Sequence, residues 1–126
     1  MVGGMGYNFE KLKVYHDAVE FVKQVYKITE KFPKAEQFGI ISQIRRASVS
    51  IIANIAEGSG RFHKRDFKQF LRISRSSCYE AVALLDLSRQ LGYISAEEYK
   101  LLYDCSEEIS KMINGLINSL QEENKS

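Results

Sequence analysis

Five cations give this sequence its most distinctive chemistry. Arg61, Arg65, Lys68, Arg72 and Arg75 recur at steps of four, three, four and three residues. On a helix such positions share one face, each about one turn from the next. Lys64 sits beside them, no acid falls within the row, and Asp66 projects elsewhere. Like charges at this spacing repel and slightly weaken the local helix. A line of phosphates is a fitting counterpart, because Lys and Arg that neutralise phosphates release counterions and gain affinity. Tyr79 ends the row, with a ring able to pack on a base or on a neighbouring side chain. The plainer reading is a solvated helix face.

A second row lies earlier in the chain. Gln43, Arg46, Ser50, Asn54 and Glu57 are spaced three, four, four and three apart, opposite Ile44 and Ile51, with Ser42 and Arg45 pointing between the two faces. Arg46 with Ser50, or Ser50 with Asn54, can hydrogen-bond along a helix. Small and amide side chains in a row suit a closely approached helix or subunit surface, where hydrogen bonds fix register. We expect an oligomer interface here; the alternative is an exposed polar face.

Catalytic chemistry finds no such support. His16, on the polar side of the first helix, and His63, in the loop before the third, have no second ligand at metal spacing. No Glu-x-x-His pair occurs either, so a di-iron bundle is excluded. Gly58-Ser59-Gly60 has no strand before it and no Gly-Lys-Ser/Thr after it, so it reads as a helix stop and not a phosphate loop. Cys78 and Cys105 fall on or beside apolar stripes and read as inert buried thiols of a cytoplasmic protein. The expectation is a non-enzyme with no metal, no cofactor and no small-molecule substrate.

The elements that must carry these rows follow from composition and period. The 126 residues, 44% hydrophobic and 27% charged, suit one globular domain. No uncharged stretch is longer than Ala47 to Ala56, which is half of what a membrane-spanning helix needs, and no secretory signal is evident. The net charge of +2 hides a polarity: residues 1–80 carry 14 Lys/Arg against 8 Asp/Glu, and residues 81–126 carry 4 against 8. The basic part is where an anionic partner would bind.

One proline and long segments of helical period, without apolar–polar alternation, indicate an all-α protein. Helix 1 is expected from about Leu12 to Lys31, ended by Pro33. Its stripe of Tyr15, Ala18, Val22, Val25, Thr29 and Phe32 is flanked by Val14, Phe21 and Ile28 on one side and by Val19 and Tyr26 on the other. That arc is wider than a lone bundle helix needs, which suggests a second packing partner such as another chain. Helix 2 is expected from about Phe38 to Glu57, on Ile40, Ile44, Ala47, Ile51 and Ile55. Helix 3 is expected from about Lys64 to Leu91, closed by Gly92, with small Ser74, Ser77 and Ala81 allowing close helix approach. Helix 4 opens at Ser95-Ala-Glu-Glu98, a capping box, and buries Tyr99, Leu102, Ser106, Ile109, Ile113, Leu116 and Leu120. Short connections place successive helices antiparallel, giving an up-down four-helix bundle over residues 7–120. Residues 1–6 read as a flexible lead-in and residues 121–126 as a frayed tail.

Several spaced segments carry a resemblance. Phe9-Glu-Lys-Leu-Lys-Val-Tyr15, Gln43-Ile-Arg-Arg-Ala-Ser-Val-Ser50 followed by Asn54-Ile-Ala-Glu-Gly58, and Leu91-Gly-Tyr-Ile-Ser95 with Glu97-Glu-Tyr99 are similar to the bacterial four-helix-bundle family first associated with intervening sequences of large-subunit ribosomal RNA genes. The resemblance spans about residues 7–120. It implies an up-down bundle that assembles as a homo-oligomer, typically a pentameric barrel, without known catalysis. It also implies kinship with basic pentamers that assist retroelement reverse transcriptases and bind RNA or DNA. The sequence departs from the family pattern at His63, where Ser or Thr is common. It departs again at Arg75-Ser-Ser-Cys78, which replaces a more apolar, Gly-containing stretch.

Two functions are therefore expected in competition. The first is low-specificity nucleic-acid binding, RNA favoured, through Arg61, Arg65, Lys68, Arg72 and Arg75, with Lys64, Arg45 and Arg46 as weaker contacts. The second is a protein-interaction scaffold in which the basic row meets the acids Glu97, Glu98, Asp104, Glu107 and Glu108 of another subunit or a partner protein.

Overall fold

The computed structural model describes residues 7–124, with side chains through residue 120. It contains four α-helices: α1 (Lys13–Thr29), α2 (Ile40–Ser59), α3 (Lys64–Gln90) and α4 (Ala96–Asn124). Single 3-10 turns at Asn8–Lys11 and Lys34–Glu36 complete the regular structure, and no strand occurs among the described residues. The expected lead-in, residues 1–6, and the last two residues of the expected tail lie outside the described residues.

The four helices close around one core. α2 packs on α1 and α3, and α4 packs on the same two. Phe21 from α1, Ile44, Ile51 and Ile55 from α2, Leu71 and Leu85 from α3, and Leu102, Ile109 and Ile113 from α4 are fully buried. Burying a side chain of this size contributes about 1.5–3 kcal/mol. On α1 the buried line is Val14, Ala18, Phe21, Val25 and Thr29, centred one position away from the line expected through Tyr15 and Val22, both of which are half-buried. Exposed Tyr26 and half-buried Val19 lie at the edge of the wide apolar arc.

The ends of α1 and α2 depart from expectation by up to about two residues. α1 stops at Thr29, whose hydroxyl donates to the carbonyls of Val25 (2.8 Å) and Tyr26 (3.2 Å) ahead of Pro33. α2 starts at Ile40, so Phe38 lies outside it and is 92% exposed. α2 ends within the expected Gly58-Ser59-Gly60 stop, at Ser59 with Gly60 as its C-cap, so Gly58 itself still lies inside the helix. Its glycine serves a different need. A Cβ on Gly58 would lie 2.7 Å from Phe70 Cβ and 2.9 Å from Phe67 Cδ1, so only glycine admits α3 this close to α2. The left-handed glycine stop expected of α3 is present at Gly92, with φ of 82°. There the Tyr93 N–H bonds the Ser88 carbonyl (2.9 Å) and the Gly92 N–H bonds the Arg89 carbonyl (3.0 Å), a Schellman closure.

The capping box at α4 forms in both directions. Glu98 N–H donates to Ser95 Oγ (3.0 Å), and Ser95 N–H donates to Glu98 Oε1 (2.9 Å). The backbone bond from Ser95, and then Lys31 Nζ at 3.5 Å, hold the Glu98 carboxyl below the ordinary glutamate range.

Two pairs of variants test these local arguments. Gly58→Ala should destabilise by about 1–2 kcal/mol, because overpacking outweighs the gain in helix propensity. Gly115→Ala in α4, where an added Cβ meets nothing within 4 Å, should stabilise by about 0.5–1 kcal/mol. Chemical denaturation of the two variants checks the sign of each. Ser95→Ala should cost about 1 kcal/mol at neutral pH. A carboxyl whose folded pKa is lowered stabilises above its ordinary pKa and loses that contribution as pH falls through the lowered one. The stability gap between the native chain and Glu98→Gln should therefore close as the pH drops below the ordinary glutamate value.

Candidate nucleic-acid interface

α3 begins at Lys64, so the helical part of the basic row is Arg65, Lys68, Arg72 and Arg75, continued one turn further by Tyr79. At about 1.5 Å per residue these five positions span about 21 Å. Arg65 is exposed, and Lys68 and Arg72 are half-buried. Long cationic side chains commonly lay their stems on apolar surface while the charge stays in water. Among the described residues Arg65, Lys68 and Arg72 make no ion pair.

The ends of the row are held. Arg75 Nη1 donates to Asn114 Oδ1 of α4 at 2.6 Å, which fixes this guanidinium over the α3–α4 seam. Arg61 precedes the helix and does not continue its line. Its Nη2 meets Glu57 Oε2 at 2.7 Å, and its guanidinium lies 4.7 Å from the centroid of the Phe70 ring. Lys64 is exposed in the first turn.

The two weaker candidates differ from each other. Arg46 is exposed, whereas Arg45 is turned inward. Arg45 Nε donates to the buried Thr29 hydroxyl oxygen (2.9 Å) and Nη2 to the Tyr26 carbonyl (3.3 Å), with the guanidinium 4.4 Å over the Tyr26 ring. It is a clasp between α1 and α2. Nothing in the sequence marks Thr29 and Tyr26 as its partners, because the pairing depends on the relative register of two helices. The same holds for Asn114 and Arg75.

The polar row on α2 is divided. Gln43 and Arg46 are exposed, and Glu57 is taken by Arg61. Asn54 Nδ2 donates to the Ser50 carbonyl (2.8 Å) and to Ser50 Oγ (3.0 Å), and Ser77 Oγ of α3 donates to Ser50 Oγ (2.9 Å). At the centre of this row Ser50 is therefore bonded to α3 of the same chain, and Asn54 is bonded within α2.

The other chemistry-bearing groups are quiet. Burial pushes up the pKa of Cys78, and of Cys105 as well, which keeps both as thiols, and they remain free cysteines. His16 is exposed, its Nε2 2.8 Å from the Glu10 carbonyl oxygen, and exposed His63 precedes α3 without capping it through its side chain. No helix of the described residues is long and apolar enough to cross a membrane.

The family model of the 23S rRNA-intervening sequence protein matches residues 10–115. The chain belongs to that family. A solved structure of a protein with unknown function, from the S23 ribosomal protein family of Bacteroides thetaiotaomicron VPI-5482, is similar to this 23S rRNA-intervening sequence family member. The two share 29% identity over 82% of this chain and 97% of that one, with a TM-score of 0.74. No curated protein matches the chain.

The division between structural and available cations can be measured in this family member. Arg45→Ala should lower stability by about 1–2 kcal/mol through lost hydrogen bonds and ring contact. Arg65→Ala, at an exposed position without partners, should stay within about 0.5 kcal/mol. Thermal melts of the two variants side by side check the contrast.

Proposed function

We propose that this chain is a non-catalytic, self-associating helical bundle that binds RNA through the phosphate backbone. The observation that carries the reading is the run Arg65, Lys68 and Arg72 along one flank of α3, with no ion-pair partner for any of the three among the described residues. Cations in line raise the local potential and favour a polyanion. The family's 23S rRNA-intervening sequence description and the neighbour's S23 ribosomal protein family name support RNA as the polyanion. Arg75 extends the row, and exposed Arg46 and Lys64 add charge around it. No element that reads base edges stands on the row, so affinity is electrostatic and sequence specificity low.

The bundle is proposed to be antiparallel and up-down. Pairs of contacts support this: Arg45 at the start of α2 meets Thr29 at the end of α1, while Asn8 before α1 meets Ser59 at the end of α2 (3.2 Å). Along the α3–α4 seam, Arg75 meets Asn114 and Arg89 meets Tyr99. Self-association, with a pentamer as the family form, is supported by the exposed apolar side chains Tyr26, Phe38 and Val49 around one groove at the α1–α2 mouth. Several copies would multiply a weak phosphate contact by avidity. The competing scaffold role is weakened because three of the acids it needs are engaged within the chain: Glu98 with Lys31, Asp104 with Lys100 and Glu108 with Lys111.

The test is filter binding of a large-subunit ribosomal RNA fragment across a salt series, on the purified assembly with its mass fixed by light scattering. The combined Arg65→Glu, Lys68→Glu and Arg72→Glu variant should lose retention at moderate salt while keeping its helical melt. Retention by the native chain should fall steeply with salt, by a slope of about 0.7–0.9 per phosphate contacted. Unchanged retention by the variant, or a flat salt response, would overturn the proposal.

A further inference from the structure

The basic row runs directly into a groove. Between α3 and α4 lies an open cleft of about 600 Å3, lined by Tyr79, Val82, Tyr99, Tyr103, Ser110 and Asn114 among others. Tyr79 stands one turn beyond Arg75 on the same flank of α3, and Arg75 is held at the mouth of the cleft by Asn114. Tyr79 is 65% exposed and Tyr103 41% exposed. Tyr103 is tilted against Tyr99, with ring centroids 5.9 Å apart, and Tyr99 in turn lies under the Arg89 guanidinium at 5.4 Å. Tyr79 makes no ring contact among the described residues. The cleft therefore presents two aromatic surfaces, one on each wall, at the end of a line of cations.

The charges around the cleft are ordered. Lys68, Arg72 and Arg75 lead in from one end. At the other end Asp86 is ion-paired to Arg89 (2.6 Å) and bound by Gln90 (2.8 Å), which holds its carboxyl below the ordinary aspartate range, and Glu107 and Lys111 both line the wall. The excess of positive charge that would hold a phosphate lies at the first end, whereas opposite charges are matched at the second. An aromatic, uncharged group suits the space between. Those are the requirements of a nucleotide whose base has left its helix: phosphate on the cations, base on the rings.

Resting on the phosphate-binding reading above, we propose that the α3–α4 cleft takes unpaired bases of the bound RNA, stacked on Tyr79 and Tyr103, while the adjoining phosphates lie on Lys68, Arg72 and Arg75. A duplex can meet the cation row but keeps its base faces inside its own stack, so it leaves the rings empty. The protein thus prefers single-stranded loops or ends over paired helices. The preference is blind to sequence, because every base offers a ring face.

The experiment compares an end-labelled oligouridylate of about 12 nucleotides with a duplex RNA of equal length, by anisotropy at one salt concentration. The native chain should bind the single strand more tightly. The variant Tyr79→Leu with Tyr103→Leu should reduce the ratio of single-strand to duplex affinity by about fivefold or more. Tyr79→Phe, which keeps the ring, should leave Tyr103 and the remaining ring able to hold that ratio near the native value. The chain has seven tyrosines and no tryptophan, so its own emission reports stacking directly. Oligouridylate should quench it, and the leucine variant should lose most of the quench. Equal native affinity for both RNAs, or a ratio unmoved by the leucine variant, overturns the stacking proposal. If charge reversal at Arg65, Lys68 and Arg72 still abolishes binding in that case, the phosphate reading stands without it; if the native chain holds neither RNA, both fall.

Discussion

The close contact between α2 and α3 governs the arrangement of everything else. It is made from small and hydroxylated residues. Gly58 admits Phe67 and Phe70, Ser74 Oγ donates to the Ile51 carbonyl (2.8 Å), and Ser77 Oγ donates to Ser50 Oγ. The Ser50, Ser74 and Ser77 hydroxyls each find a carbonyl or another hydroxyl, and no buried polar side-chain atom among the described residues lacks a partner. The hydrogen bonds also fix the register and rotation of α3 against α2, which apolar packing alone would leave more permissive. Once α3 is rotated into that seat, Leu71, Cys78 and Leu85 face the core and the cations are carried to the α4-side flank.

That rotation determines which charges are available. Arg45 and Arg61 lie near helix junctions and are absorbed by the fold, the first by Thr29 and Tyr26, the second by Glu57 and the Phe70 face. Arg65, Lys68 and Arg72 follow along the flank of α3 and make no ion pair among the described residues. Two of the described acids of α4, Asp104 and Glu108, pair with lysines on their own helix. The polarity along the sequence thus becomes a polarity across the molecule. Exposed pairs of that kind add little stability.

The sequence revealed the elements better than the contacts between them. Apolar period placed all four helices, and the Ser95–Glu98 box and Gly92 located two ends correctly because their signals are local. Gly58 was read as part of a stop for the same reason. A glycine near a helix end looks like a stop, and only the position of α3 shows that its missing Cβ is a matter of space. On α2, Ser50 accepts from Ser77 of α3 in the same chain, while Asn54 bonds back to Ser50 within its own helix. The basic row was legible as a pattern because it lies on one helix. Its separation into held and unheld cations was not, because Thr29, Tyr26, Asn114 and Phe70 come from across a helix seam or junction.

One geometric fact about α3 limits how such a protein can change. The same 27-residue helix carries the serine seam, the core line and the cation flank at fixed angular offsets. A single inserted residue would turn everything beyond it by about 100°, driving arginines into the interior and serines out to water. Lineages descending from this chain can vary the identity of individual cations freely, yet can lengthen the row only in whole heptads, which return each face almost to its starting angle. Its reach along a polyanion would therefore evolve in steps of about 10 Å, never gradually.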